Sequence, residues 1–379
     1  MAETAATVVL GGTLSMADVV RVARDDAVVT MSDAAREAIG RSRAIVEALV
    51  DSDEPVYGIS TGFGGLATTH IPRDRREQLQ RSLIRSHAAG MGQPVEREVV
   101  RAMMLLRART LALGFSGVRA DVVDAIAALL NHGITPVVPE HGSLGCSGDL
   151  APLAHAALAL MGEGMVDDGT THLRAAEALA AVGSDPLVLR EKEGLALING
   201  TDGMLGMLVL AIHDLRELLV VADIAAAMSI EGLLGTDRAF ADDLQALRPH
   251  PGQRASAANL RTLLDGSEIV SSHRVDDPRV QDAYSLRCAP QVAGAARDTL
   301  GFATGVAERE LVSAIDNPVV LADGRIESNG NFHGAPLAFA CDFLAIAAAE
   351  VGTISERRID RALDKARSHG LPPFLADDP

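Results

Sequence analysis

The spacing of apolar and polar positions changes period several times along the chain, and each change marks an element. Thr7 to Leu10 is a short apolar run of strand type. Ser15, with Asp18 three residues on, reads as a capping box opening a helix from Met16 to Arg24. Ser32 repeats the signal ahead of a helix from about Asp33 to Leu49. Helical spacing returns from about Glu96 to Leu113, stopped by Gly114, and from Ala120 to Leu130, stopped by Asn131-His132-Gly133. Three later windows, Thr201 to Leu234, Gln281 to Ser313 and Ala335 to Ala366, are long, rich in Ala and Leu and low in proline. They predict long antiparallel helices in a bundle. Val319 to Ser328 alternates around Asp323-Gly324 and predicts the one clear β element, a minor hairpin. Arg248 to Asp277 is polar and aperiodic and reads as a long loop. The expected fold is mainly α, with an N-terminal mixed domain over 1–200 and a long-helix bundle domain over 201–379.

The chain has 379 residues, 48% of them hydrophobic, enough for an extensive core. A formal net charge of -17 argues against electrostatic binding to nucleic acid or anionic lipid, because either needs clustered Lys and Arg. The stretches Met204 to Met228 and Leu337 to Val351 are apolar, but Asp214, Arg216, Glu217, Asp223, Asp342 and Glu350 interrupt them. They are expected to be buried helices and not membrane spans. The start at Met1-Ala2-Glu3-Thr4 offers no basic leader, and Cys146, Cys288 and Cys341 form no close pair, so a cytoplasmic protein without a disulfide framework is expected. No H-E-x-x-H pattern occurs among eleven histidines, and Gly62-Phe63-Gly64-Gly65 lacks the third glycine of a dinucleotide loop. No metal and no nucleotide are expected, which leaves small-molecule chemistry.

That chemistry is read from His141 to His155, a Gly/Ser loop running into an Ala/Leu helix. Asp149 is placed to cap that helix and Pro152 to sit in its first turn, aiming the helix dipole at Ser147. An ordinary capped helix start is one reading. A hydrolase nucleophile elbow is another, but it needs glycine where Asp149 stands. In a tightly bent loop a third is open: the Gly148 nitrogen attacks the Cys146 carbonyl, and loss of water and of the Ser147 hydroxyl leaves an exocyclic methylene. No unmodified side chain supplies such an electrophile.

Cys146-Ser147-Gly148-Asp149-Leu150-Ala151-Pro152-Leu153 resembles the histidine and aromatic amino-acid ammonia-lyase family, whose self-made cofactor is 4-methylidene-imidazol-5-one from Ala-Ser-Gly. Cys146 stands where Ala is usual, and the ring uses only that residue's backbone. Further matches run in order along the chain: Tyr57 to Gly64, within the Gly-rich candidate lid Tyr57 to Gly65, Ser86-His87-Ala88-Ala89-Gly90, Asn199-Gly200-Thr201, Gln281 to Arg287, and Gly330-Asn331-Phe332-His333. Both tyrosines of the chain, Tyr57 and Tyr284, fall inside these motifs, and there is no tryptophan. Gln281, Tyr284 and Arg287 are three apart and are expected on nearby faces of one helix.

The resemblance implies an ammonia-lyase acting on an amino acid, with an electron sink at Ser147 and Tyr57 as general base. An unperturbed phenol titrates near ~10, so the site must lower its pKa. It also implies Asn199, Tyr284 and Gln281 in support of cofactor and amine, Arg287 on the substrate carboxylate, and Phe332 as a pocket wall. His87 points to a polar-ring substrate, histidine ahead of tyrosine. A homotetramer with shared active sites is implied, and so are further helices after Pro379 that bring a carboxylate to the imidazole. Alternatives from the same group are a tyrosine or phenylalanine lyase and a 2,3-aminomutase. A silent helical scaffold is the alternative of another class, while the Gly-Ser-Ser-x-Met-Pro-x-Lys signature of the fumarase and aspartase group is absent.

Overall fold

The computed structural model describes residues 7–50, 61–62, 69–277 and 279–372. The described chain forms two compact units that interleave along the sequence. The first comprises Met1–Leu210 with Val306–Ala338, and the second Ala211–Gly305 with Phe339–Pro379. The protein is mainly α, as its periodicity predicts.

In the first unit, Ser15 and Asp18 form the expected capping box at Met16–Arg24. That helix links Thr7–Leu10 to Val28–Met31, which pair in parallel. The helix Arg97–Ala112 is buried almost throughout, although it carries Arg101, Arg107 and Arg109. Arg101 resolves the apparent conflict. Its guanidinium donates to Val22 O at 2.8 Å and Leu130 O at 3.1 Å, in the last turns of two neighbouring helices, where intrahelical donors run out. The helices Arg76–His87 and Glu193–Ile198 pack beside Leu150–Leu160, the helix that follows Cys146-Ser147-Gly148.

The hairpin expected around Asp323-Gly324 is present, with Val319–Val320 antiparallel to Ile326–Glu327 and Gly324 at φ +91°. It is not the one β element. Met91–Pro94 pairs with Pro139–His141, and Thr135–Pro136, Met165–Asp167 and His172–Arg174 make a three-stranded sheet. Strands of two to four residues are too short to carry a readable alternation.

In the second unit the segment expected to be a loop, Arg248 to Asp277, folds instead as the helices Pro251–Leu264 and Glu268–Ser272. Pro251 stands at the first helical position, and Gln253, Ser256, Ala257, Leu260 and Leu264 form a buried stripe. The stripe was hidden because two of its members are polar. Ser256 is accommodated by donating to Asp223 Oδ1 at 2.5 Å. The window from Gln281 is not one helix either: a single turn, Tyr284–Arg287, precedes Ala289–Glu310, whose second residue is Pro290. Proline's missing N–H and its ring account for the break. Glu193–Gly232 and Ala335–Leu363 are long and apolar enough to cross a membrane; the apolar window of the first is 83% buried, as expected, but that of the second only 22%, so the expected burial of the Leu337 to Val351 stretch is not found within the chain.

Candidate active site

The tripeptide Cys146-Ser147-Gly148 lies on a reversed turn. Gly148 N–H donates to Gly145 O at 3.2 Å, and both glycines have left-handed φ, +76° and +71°. Cys146 is exposed, Ser147 half-buried and Gly148 buried. A β-carbon on Gly148 would lie 2.3 Å from Gly200 O, so the backbones meet with no space for a side chain. Asp149 N–H then donates to the same Gly200 carbonyl at 2.7 Å. On the other flank, Gly334 N–H donates to Gly145 O at 2.8 Å.

Asp149 begins the helix Leu150–Leu160, but its side chain does not cap it, contrary to expectation. The buried carboxylate instead accepts from Ser143 Oγ at 2.7 Å and Met204 N at 3.0 Å, tying the loop to the helix Asp202–Gly232. Burial pushes its pKa up to about 6 against those stabilising bonds. Under the turn, Arg107 Nη1 lies 3.1 Å from Asp202 Oδ2, and its Nη2 donates to Ile315 O at 2.8 Å. Burial raises the Asp202 pKa even beside Arg107. A second buried ion pair, Lys192 Nζ to Asp316 Oδ2 at 2.6 Å, secures the neighbouring chain.

Asn199 follows the helix Glu193–Ile198, is buried, and donates through Nδ2 to Asn317 O at 2.8 Å. His87 ends the helix Arg76–His87, with Nδ1 2.9 Å from Leu83 O. A carbonyl only accepts, so the neutral ring is assigned its proton on Nδ1, leaving Nε2 as an acceptor. Phe332 is half-buried in the turn before Gly334. A cavity of about 440 Å³ beside that turn is lined by Glu310, Ser313, Ile315, Asn331 and His333.

The first unit thus brings Asn199 and Phe332 onto segments bonded to the turn that carries Ser147. In the second unit, Arg287 Cζ lies 4.5 Å from the centroid of the Tyr284 ring, and Tyr284 is exposed. Gln281 is exposed and precedes their helical turn, so the expected three-residue display on one helix is not formed. Tyr57 lies outside the described residues. Sequence reasoning missed Arg107 and Asp202 and gave Gly200 and His155 no role of their own; the one signal for Arg107 was a cation within the apolar run of its helix.

The tripeptide's surroundings fit a cyclised backbone: glycine is the only residue admitted at 148, and backbone donors and acceptors grip both sides of the turn. Residues 14–379 match the family model described as aromatic amino acid lyase. A histidine ammonia-lyase from Streptomyces avermitilis is 63% identical over 375 residues, which span 98% of this chain and 73% of that protein. Among solved structures, a tyrosine aminomutase from Streptomyces globisporus is similar with a TM-score of 0.91 at 40% identity, covering 99% of this chain and 74% of that one. A histidine ammonia-lyase from Trypanosoma cruzi gives a TM-score of 0.87 at 39% identity, covering 97% and 70%.

Proposed function

The chain belongs to the aromatic amino acid lyase family, and from that premise we propose that it eliminates ammonia from L-histidine to give trans-urocanate, using 4-methylidene-imidazol-5-one made from Cys146-Ser147-Gly148. The observation that carries the reading is the pinched turn at Gly148, which reserves that position for a residue whose nitrogen is unshielded. Histidine as substrate is supported by the relatives of that name and by His87, whose free Nε2 suits the ring N–H of an imidazole.

Once formed, the group supplies an electron sink for the substrate nitrogen, which makes ammonia a workable leaving group. The protein's own residues do the rest. Tyr57 takes the proton from the carbon β to the carboxylate. Arg287 holds that carboxylate, to which its planar fork is matched. Asn199 and Tyr284 steady the reacting centre, Gln281 the amine and His87 the imidazole, while Phe332 walls the pocket.

We further assign a cytoplasmic homotetramer with shared active sites. A groove of about 560 Å³ in the second unit, lined by Val292, Phe302, Phe343, Ile346 and Ala347, leaves Phe302, Phe343 and Ile346 exposed, which supports their burial against another subunit. The likeness to a tyrosine aminomutase favours a second reading, in which the nitrogen is re-added and not released.

Intact mass and product analysis test the proposal. A deficit of two waters together with urocanate from L-histidine is expected. Full mass without product would overturn it, and a β-amino acid product would decide for the aminomutase.

A further inference from the structure

Resting on the reaction proposed above, we infer that His155 is a positioning residue: from the helix that follows the cofactor tripeptide, it holds the backbone N–H of Gly90 and thereby fixes the His87 segment against the arm leading into the cofactor loop. Gly90 N lies 3.1 Å from His155 Nε2. An imidazole nitrogen accepts from an N–H only through a bare lone pair, so His155 is neutral with its proton on Nδ1. Half-burial on Leu150–Leu160 lowers its pKa and keeps that form.

The tie has a consequence because of where Gly90 sits. It is three residues after His87, at the point where the chain turns from the helix Arg76–His87 into the strand Met91–Pro94. That strand is laddered to Pro139–His141, with Met91 opposite His141 and Pro94 opposite Pro139. At the crossing, a β-carbon on Gly142 would lie 3.2 Å from the Gly90 Cα. A β-carbon on Gly90 would lie 3.1 Å from His155 Nε2 and 3.2 Å from Pro139 Cβ. The His87 segment therefore reaches the cofactor arm through the ladder, and the cofactor helix through one hydrogen bond. Nothing in the tie touches substrate or reacting atoms, so its loss lets His87 drift while leaving the electrophile intact.

The test compares His155→Leu and His155→Gln in the full chain. Leucine removes the acceptor, whereas the glutamine Oε1 restores one. His155→Leu is expected to keep the two-water mass deficit and a kcat within about twofold, and to raise KM for L-histidine about five- to tenfold, the scale of one lost hydrogen bond. His155→Gln is expected to recover most of that KM. Amide exchange read by mass spectrometry over 88–94 should accelerate in His155→Leu and not in His155→Gln. An unchanged KM in His155→Leu, equal damage in both variants, or a parallel fall of kcat and stability would overturn the inference. A wild-type chain without mass deficit or urocanate would overturn the reaction reading and the kinetic role with it; unaltered exchange in His155→Leu would overturn the tie alone.

Discussion

Gly148→Ala puts the pinched turn to the test. Its β-carbon would stand 2.3 Å from Gly200 O and 2.9 Å from Gly200 C, both backbone atoms that cannot rotate away. The two segments must part by about 1 Å to reach van der Waals distance. That movement breaks the 2.7 Å bond from Asp149 N to Gly200 O and leaves a buried donor unpaired. Holding alanine at a left-handed φ of +76° adds to the penalty. Together these cost about 2–5 kcal/mol, from ~1–2 for the backbone and ~1–3 for the orphaned group. Urea denaturation followed by far-ultraviolet circular dichroism reads the loss, and intact mass reads the cofactor. We expect a lower midpoint with an unchanged slope and the full, uncyclised mass. A wild-type midpoint would refute the argument, because Gly200 would then not be the wall described; a two-water deficit in the variant would refute the demand for glycine.

Asp149 has a folded-state pKa of about 6, above its ordinary value of 3.8, so its share of stability is complete below 3.8 and lost as pH rises through 6. The unfolding free energy of wild type relative to Asp149→Asn should fall by about 2 kcal/mol between pH 4 and 7, and a flat difference would contradict the burial argument. Lys192→Met should cost about 3–5 kcal/mol by stranding Asp316, and adding Asp316→Leu should restore part of it in the same denaturation assay. Phe343 is half-exposed, with ring centroids 5.9 Å from Phe302 and 6.4 Å from Phe339. Phe343→Asp should reduce the assembly size measured by light scattering, while an intact tetramer would move the interface elsewhere.

What the sequence disclosed depended on distance along the chain. The capping box at Ser15 and Asp18 and the stop at Gly133 are settled within a few residues, and both are found as read. The tripeptide is equally local, which is why its chemistry could be argued from letters. Asp149 misled because a carboxylate before a helix ordinarily caps it, whereas here Met204 and Ser143 compete for the same oxygens. Arg107 finds Asp202 and Ile315 far along the chain, and no local pattern announces such a pairing. The helix Pro251–Leu264 was unreadable because its buried face includes Gln253 and Ser256, polar groups that only tertiary partners make tolerable.

Gly145 takes its second partner from Gly334, and Asn199 leans on Asn317, so the turn carrying Cys146-Ser147-Gly148 is completed by residues made long after it. At a synthesis rate of ~5–20 residues/s, the ribosome needs some tens of seconds to travel from the tripeptide to that partner. On the proposed cyclisation, and with the turn closed only by these late partners, a nascent chain would carry an ordinary serine through that interval. Such timing would keep a reactive alkene away from the amines and thiols of the translation and folding machinery.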